Sequence, residues 1–145
     1  MAYATNRKAR FDYEILSTLE AGIELFGHEV PSVRAGQVTL EGSYVIVRGG
    51  EAYLTNASIK PYQMKNTPED YDPMRVRRLL LNKNQIAEIA DATDRDGLTV
   101  VPISMYNKGK VVKVEVAIAR GKKKGDKRET MKRRESDREI RREMK

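Results

Sequence analysis

The chain has no cysteine, no tryptophan and a single histidine, His28, among 145 residues. Disulfides and thiolate metal sites are thereby excluded, and an imidazole-based metal centre has no second histidine. His28 stands in no recognised nucleophile motif, and neither a GxxxxGK[ST] loop nor a GxGxxG turn occurs anywhere. No apolar run approaches the ~18 residues of a membrane span, and the opening MAYATNRKARF lacks the apolar segment of a signal peptide. These absences lead us to expect a cytoplasmic protein with no membrane association, no catalytic residues, no resident metal and no cofactor.

What is abundant is charge, and it is unevenly placed. From Arg120 to Lys145 there are 13 Lys+Arg against 6 Asp+Glu, a surplus of 7 that equals the net charge of the whole chain, +7. The preceding 119 residues balance, with 15 of each sign. We therefore divide the chain into a body, residues 1–119, and a basic tail, residues 120–145. A body of this length holds one hydrophobic core. The tail is rich in helix formers and carries Glu129–Arg133 and Asp137–Arg141 pairs at helical spacing. Met131 and Ile140 are nine residues apart, about half a turn out of phase, so the tail has no apolar stripe to dock on the body. We expect it to be disordered alone and helical when held by a polyanion.

Along the body, residues 1–11 read as a polar arm. From Tyr13 to Leu25 apolar side chains fall at odd positions, the period of a strand with one buried face, and Gly22 suggests a bulge or bend. GHEVPSVRAG has room for one short helix with Pro31 in its first turn. SYVIVR and AYLTNASI form a hairpin about Gly49–Gly50, and PYQMKNTPEDYDP is an irregular loop. Asp72 and Pro73 look like a helix start for MRVRRLLL, and Asn82 with Gln85 forms a capping box for a second helix to about Ala92. LTVVPISMY and KVVKVEVAIA close the body as strands, with Pro102 at an edge or a bulge. The pattern predicts a mainly β fold, a small closed antiparallel β-barrel with short peripheral helices.

Three basic segments are candidates for contacting phosphates: Arg7, Lys8 and Arg10; Arg75, Arg77, Arg78 and Lys83; and the tail. Aromatic residues Phe11, Tyr13, Tyr44, Tyr53, Tyr62 and Tyr106 lie in or beside strands, where exposed ones can stack on unpaired bases. Glu69, Asp70 and Asp72 stand together as an acidic cluster that could in principle hold Mg2+, although loop solvation and a helix cap already account for them. Residue pattern alone thus leaves three readings open: an RNA-binding factor, a general single-strand-binding or initiation-type barrel, and a metal-dependent RNA-processing enzyme.

In order along the chain, NRKARFDY, LEAGIEL, GHEVPSVRAG, GSYVIVRGGEAYL, YDPMRVRRLLLNKNQI, GLTVVPISMYNKGKVVKVEVAIARGKK and DKR closely resemble the bacterial SsrA-binding protein (small protein B) family, from about Asn6 to Arg128. The resemblance implies a barrel of oligonucleotide-binding type and a role in trans-translation without catalytic activity. Its partners would be the tRNA-like domain of transfer-messenger RNA, the rRNA of 30S and 70S ribosomes and, indirectly through the RNA, elongation factor Tu with GTP. The protein would act as a monomer. Its body would complete a tRNA-like shape, and its tail would enter the empty decoding site and mRNA channel as a helix.

By the same resemblance Asn6, Glu20 and Leu80 fall on RNA-binding positions, with Arg7, Lys8, Arg10, Phe11 and Lys83 in the same blocks. Lys122 and Lys123 match a basic pair, Asp126, Lys127 and Arg128 match the DKR signature, and Met131, with Lys132 beside it, stands where the family carries an apolar tail residue. Three positions depart from the family pattern: Phe11 replaces histidine, His28 replaces threonine or tryptophan, and Pro31 replaces lysine.

Overall fold

The computed structural model describes residues 2–62 and 67–122. The tail candidates Lys123, Asp126, Lys127, Arg128, Met131 and Lys132 lie outside the described residues, as does the expected tail helix.

In chain order the elements are β1 (Ala2–Thr5), α1 (Arg7–Asp12), β2 (Tyr13–Ile23), α2 (Glu29–Arg34), β3 (Val38–Thr39), β4 (Tyr44–Arg48), β5 (Glu51–Thr55), β6 (Ser58–Ile59), β7 (Arg77–Leu80), α3 (Lys83–Asp94), β8 (Thr99–Lys108) and β9 (Val111–Gly121). Seven strands form one antiparallel sheet in the order β1-β8-β9-β2-β7-β5-β4, and β3 pairs with β6 apart from it. The inner face carries Val100 and Met105 of β8, Val112, Val114, Val116 and Ile118 of β9, and Leu54 and Leu79, closed over by Ile86, Ile89 and Ala92 of α3. Burying each large aliphatic side chain contributes roughly 1.5–3 kcal/mol, and this face supplies most of the core. No helix among the described residues is long and apolar enough to cross a membrane.

The expected closed barrel is not formed: among the described residues no ladder joins β4 back to β8, although the two lie close together. The obstacle is local. β1 occupies the outer edge of β8 over Ser104–Tyr106, and Pro102, just before it, has no amide proton to offer. Asn6 takes up what is left there, its amide nitrogen donating to the Pro102 carbonyl at 2.9 Å and the Leu40 carbonyl at 3.3 Å. The register of β8 against β9 slips between Pro102 and Ser104, as the proline suggested.

Other expectations are corrected by packing. The N-terminal arm is ordered: β1 joins the sheet, and Asn6 Oδ1 caps α1 by accepting from the Ala9 amide. Strand β2 is slipped between Ile15 and Ser17 rather than at Gly22, so Tyr13 and Ile15 pack with Ala9 of α1 in a second small cluster while Ala21 and Ile23 enter the main core. MRVRRLLL is no helix: Arg77–Leu80 is the strand between β2 and β5, with Arg77 and Leu79 buried and Arg78 and Leu80 exposed. Asp72 does cap, but its carboxylate accepts from the Met74 amide in a turn. The Gly49–Gly50 hairpin, the short α2 with Pro31 in its first turn, and α3 with its Asn82–Gln85 capping box match the sequence reading.

Candidate nucleic-acid interface

The strand register places one row of residues across the outer face of the sheet. Tyr106 on β8 stands opposite Lys113 on β9, Lys113 opposite Gly22 on β2, and Gly22 opposite Leu80 on β7. Glu20, two residues before Gly22, points the same way. Glu20 is held from two sides: its carboxylate accepts from the Tyr106 hydroxyl and from Lys108 Nζ at 3.0 Å. The Tyr106 hydrogen bond, then that of Lys108, holds the Glu20 carboxyl below the usual carboxylate range. Burial and the hydrogen bond to Glu20 push the Tyr106 phenol up to about 12, so it stays a donor throughout the physiological range.

Leu80 is 47 % exposed although flanked by central strands. Gly22 explains its seat, since a Cβ at Gly22 would lie 3.1 Å from Leu80 Cβ and 3.3 Å from Cδ1. An aliphatic side chain thus rests on bare backbone, on a face that also carries the oriented Glu20 carboxylate, Glu115 opposite it, and Lys108 and Lys113. Such a surface can pack against a sugar or base edge, accept a hydrogen bond from an amino group or 2′-hydroxyl, and neutralise nearby phosphates.

Helix α1 covers the other end of the same face, where Ala9 packs on Val101, Ile103, Ala117 and Ala119. Arg7, Lys8 and Arg10 project outward from it, while Phe11 is half-buried. Lys83 is the exposed first residue of α3, three positions beyond Leu80. Lys122 turns back to α1, its backbone amide donating to the Asp12 carbonyl at 2.9 Å and its Nζ to the Arg10 carbonyl at 3.2 Å. Asn6 differs from the other candidates: it is 3 % exposed and its amide is spent on Leu40, Pro102 and Ala9. The structure brings Glu20 and Leu80 together, sets the α1 cations on the same face, and makes Asn6 the brace under α1.

Sequence reading missed an ionic cluster below this face. Glu29, fully buried, accepts from Arg77 Nη2 at 2.7 Å and Nε at 3.0 Å, from Arg75 and from the Tyr71 hydroxyl at 2.8 Å. Arg77, also fully buried, donates further to the carbonyls of Ala57, Arg75 and Pro73. Burial raises the Glu29 pKa, but Arg75, the Phe26 amide, Arg77 and Tyr71 outweigh it and hold the carboxyl at about 2. Burial and Glu29 push the Tyr71 phenol up to about 12, partly offset by Arg77. Arg77, grouped by sequence with the cations that contact phosphates, is instead spent inside this cluster, and Arg75 is largely committed to it as well. Glu69, Asp70 and Asp72 are exposed, and no group of three or more potential metal ligands assembles among the described residues.

A family model described as "SmpB protein" matches residues 3–145. An SsrA-binding protein of Gloeothece citriformis is 49 % identical over 97 % of this chain and 90 % of its own length. One from Synechocystis is 49 % identical over 97 % of this chain and 91 % of its own. A chain in the solved structure described as "tmRNA-SmpB: a journey to the center of the bacterial ribosome" superposes with a TM-score of 0.69 at 43 % identity, covering 88 % of this chain and 93 % of that one. The chain belongs to the SmpB protein family.

Proposed function

We propose that this protein binds the tRNA-like domain of transfer-messenger RNA and brings it to ribosomes stalled on broken messages, without catalysing a reaction of its own and without a cofactor. The observation that carries this reading is the outer face on which the Tyr106- and Lys108-oriented Glu20 lies beside Leu80 on its glycine seat. Family membership and the similarity to a chain from a tmRNA-SmpB ribosome structure support it. The body, a sheet of oligonucleotide-binding type opened at β1, reads the RNA through Glu20, Leu80, Lys83 and the α1 residues Arg7, Lys8, Arg10 and Phe11. Asn6 acts by holding α1 in place.

The tail, with Lys122, Lys123, Asp126, Lys127, Arg128, Met131 and Lys132, serves the ribosome. An arm of this charge is unfolded alone and orders as a helix in the vacant decoding site and mRNA channel, where message and tail compete for one space. The protein works as a cytoplasmic monomer, and elongation factor Tu with GTP meets it through the RNA. Removing residues after Lys122 should leave binding to the tRNA-like domain intact and stop peptide tagging in a reconstituted translation reaction. Equal loss of both would overturn this division of labour.

A further inference from the structure

Phe26 is 51 % exposed, a large aromatic left in solvent at the end of the strand that carries Glu20. The Arg75 guanidinium lies over its ring, 3.7 Å from the centroid. That guanidinium cannot swing out to a phosphate. Four of its five N–H donors are committed, to Glu29, to the Val76 carbonyl at 3.2 Å and to the Glu24 carbonyl at 3.4 Å. What remains is a fixed, flat cationic plane on an aromatic ring, a surface suited to stacking.

The Phe26–Arg75 stack forms one wall of an open cleft of about 390 Å³, whose lining includes Glu24, Tyr53, Val76 and Arg78. This volume falls within the ~300–1,000 Å³ range of small-ligand sites. Tyr53 on β5 stands opposite Arg78 on β7, and Glu24, the residue just past β2, lies on the other side of Arg78, its amide donating to the Arg78 carbonyl at 2.9 Å. Arg78 bridges the Glu24 carboxylate at 3.0 Å and the Glu51 carboxylate at 3.2 Å. Glu24 is thus an oriented carboxylate, 49 % exposed, at a cleft walled by an aromatic and a guanidinium plane.

We propose that this cleft binds one unstacked guanine of an RNA ligand. The base extends the Phe26–Arg75 stack, its sugar and edge rest on Val76 and Tyr53, and Glu24 accepts from its N1 and N2 protons. Guanine alone among the four bases offers two adjacent donors there, matching the two oxygens of one carboxylate. Arg78 keeps that carboxylate aimed. The cleft continues the interface proposed above, because Arg78 and Leu80 project from the same side of β7. The inference rests on the RNA-binding reading for its biological ligand, whereas its chemistry can be tested with free nucleotides.

The test is a titration of the full chain, labelled with 15N, with GMP, AMP, CMP and UMP, alongside affinity measurements with the tRNA-like domain. GMP should shift the amides of Leu25, Phe26, Tyr53 and Val76 in a saturable way, about tenfold tighter than the other three. Glu24→Gln, with Arg78 still paired to Glu51, should abolish that preference, and Phe26→Leu should weaken all four nucleotides. Equal binding of the four, or a preference that survives Glu24→Gln, would overturn the guanine assignment. Intact binding of the tRNA-like domain with no shift at the cleft would overturn the site while leaving the proposed function standing. Loss of both would overturn the two together.

Discussion

Leu80 stands over Gly22 across the β2–β7 ladder so closely that a Cβ on the glycine would come within 3.1 Å of the Leu80 Cβ. The near atom is anchored to the backbone and cannot swing away as a side-chain tip does. Gly22→Ala should therefore force the strands apart, lowering stability by about 1–3 kcal/mol in a urea titration. RNA affinity should fall as well, because the displaced side chain is Leu80. Leu80→Asp should weaken RNA binding with a much smaller change in the urea midpoint, since that residue is half exposed.

The Glu20 carboxylate depends on Tyr106. Glu20→Ala should weaken binding of the tRNA-like domain, and Tyr106→Phe should do so more mildly by leaving Lys108 as the remaining partner. Loss of the phenol donor also lets the Glu20 pKa rise towards its ordinary value. RNA affinity should therefore begin to fall at a higher pH in Tyr106→Phe than in the parent chain as the solution is acidified. Identical acid profiles for the two proteins would show that the hydroxyl does not govern this carboxylate.

Asn6 is a different kind of site residue. Asn6→Ala removes a helix cap and the bonds to Pro102 and Leu40, so it should destabilise the fold by roughly 1–3 kcal/mol. Any weaker RNA binding should be accompanied by faster hydrogen exchange in α1. A drop in affinity with α1 protection unchanged would place Asn6 in direct contact with RNA.

Glu29 makes the fold sensitive to acid. Its folded pKa, about 2, lies below the ordinary value of 4.5, so its contribution is present in full above pH ~4.5 and disappears as pH falls towards 2. A depression of this size corresponds to about 3 kcal/mol. Glu29→Gln should flatten the decline of stability between about pH 4.5 and 2 in urea titrations. Arg77→Met, which strands a buried carboxylate, should cost about 3–5 kcal/mol at neutral pH.

The same cluster explains what was hidden in the sequence. Strand β7 read as a helix because Asp72-Pro73 is a good helix start and Arg77 and Arg78 both look like surface residues. Only Glu29, 48 residues away, makes an inward-pointing Arg77 tolerable, and pattern carries no information about that partner. Elements with local rules were legible: the Gly49–Gly50 hairpin, the Asn82–Gln85 capping box and the alternation of Val112, Val114 and Val116. Barrel closure was not, because it depends on whether the N-terminal residues occupy the edge of β8, a long-range competition. Within the site, Glu20 and Leu80 were found through family resemblance. Tyr106, Lys108 and Gly22, which orient and seat them, emerge only from strand register.

The most direct measurement is binding of the full chain and of residues 1–122 to the tRNA-like domain and to an elongator tRNA across a salt series. Every phosphate that the shorter form no longer neutralises should flatten the log–log slope by roughly 0.7 to 0.9. If the body reads the RNA, both forms will prefer the tRNA-like domain with similar slopes. If truncation removes both the affinity and the preference, the tail is the RNA reader and the interface on β2, β7 and α1 is wrongly assigned.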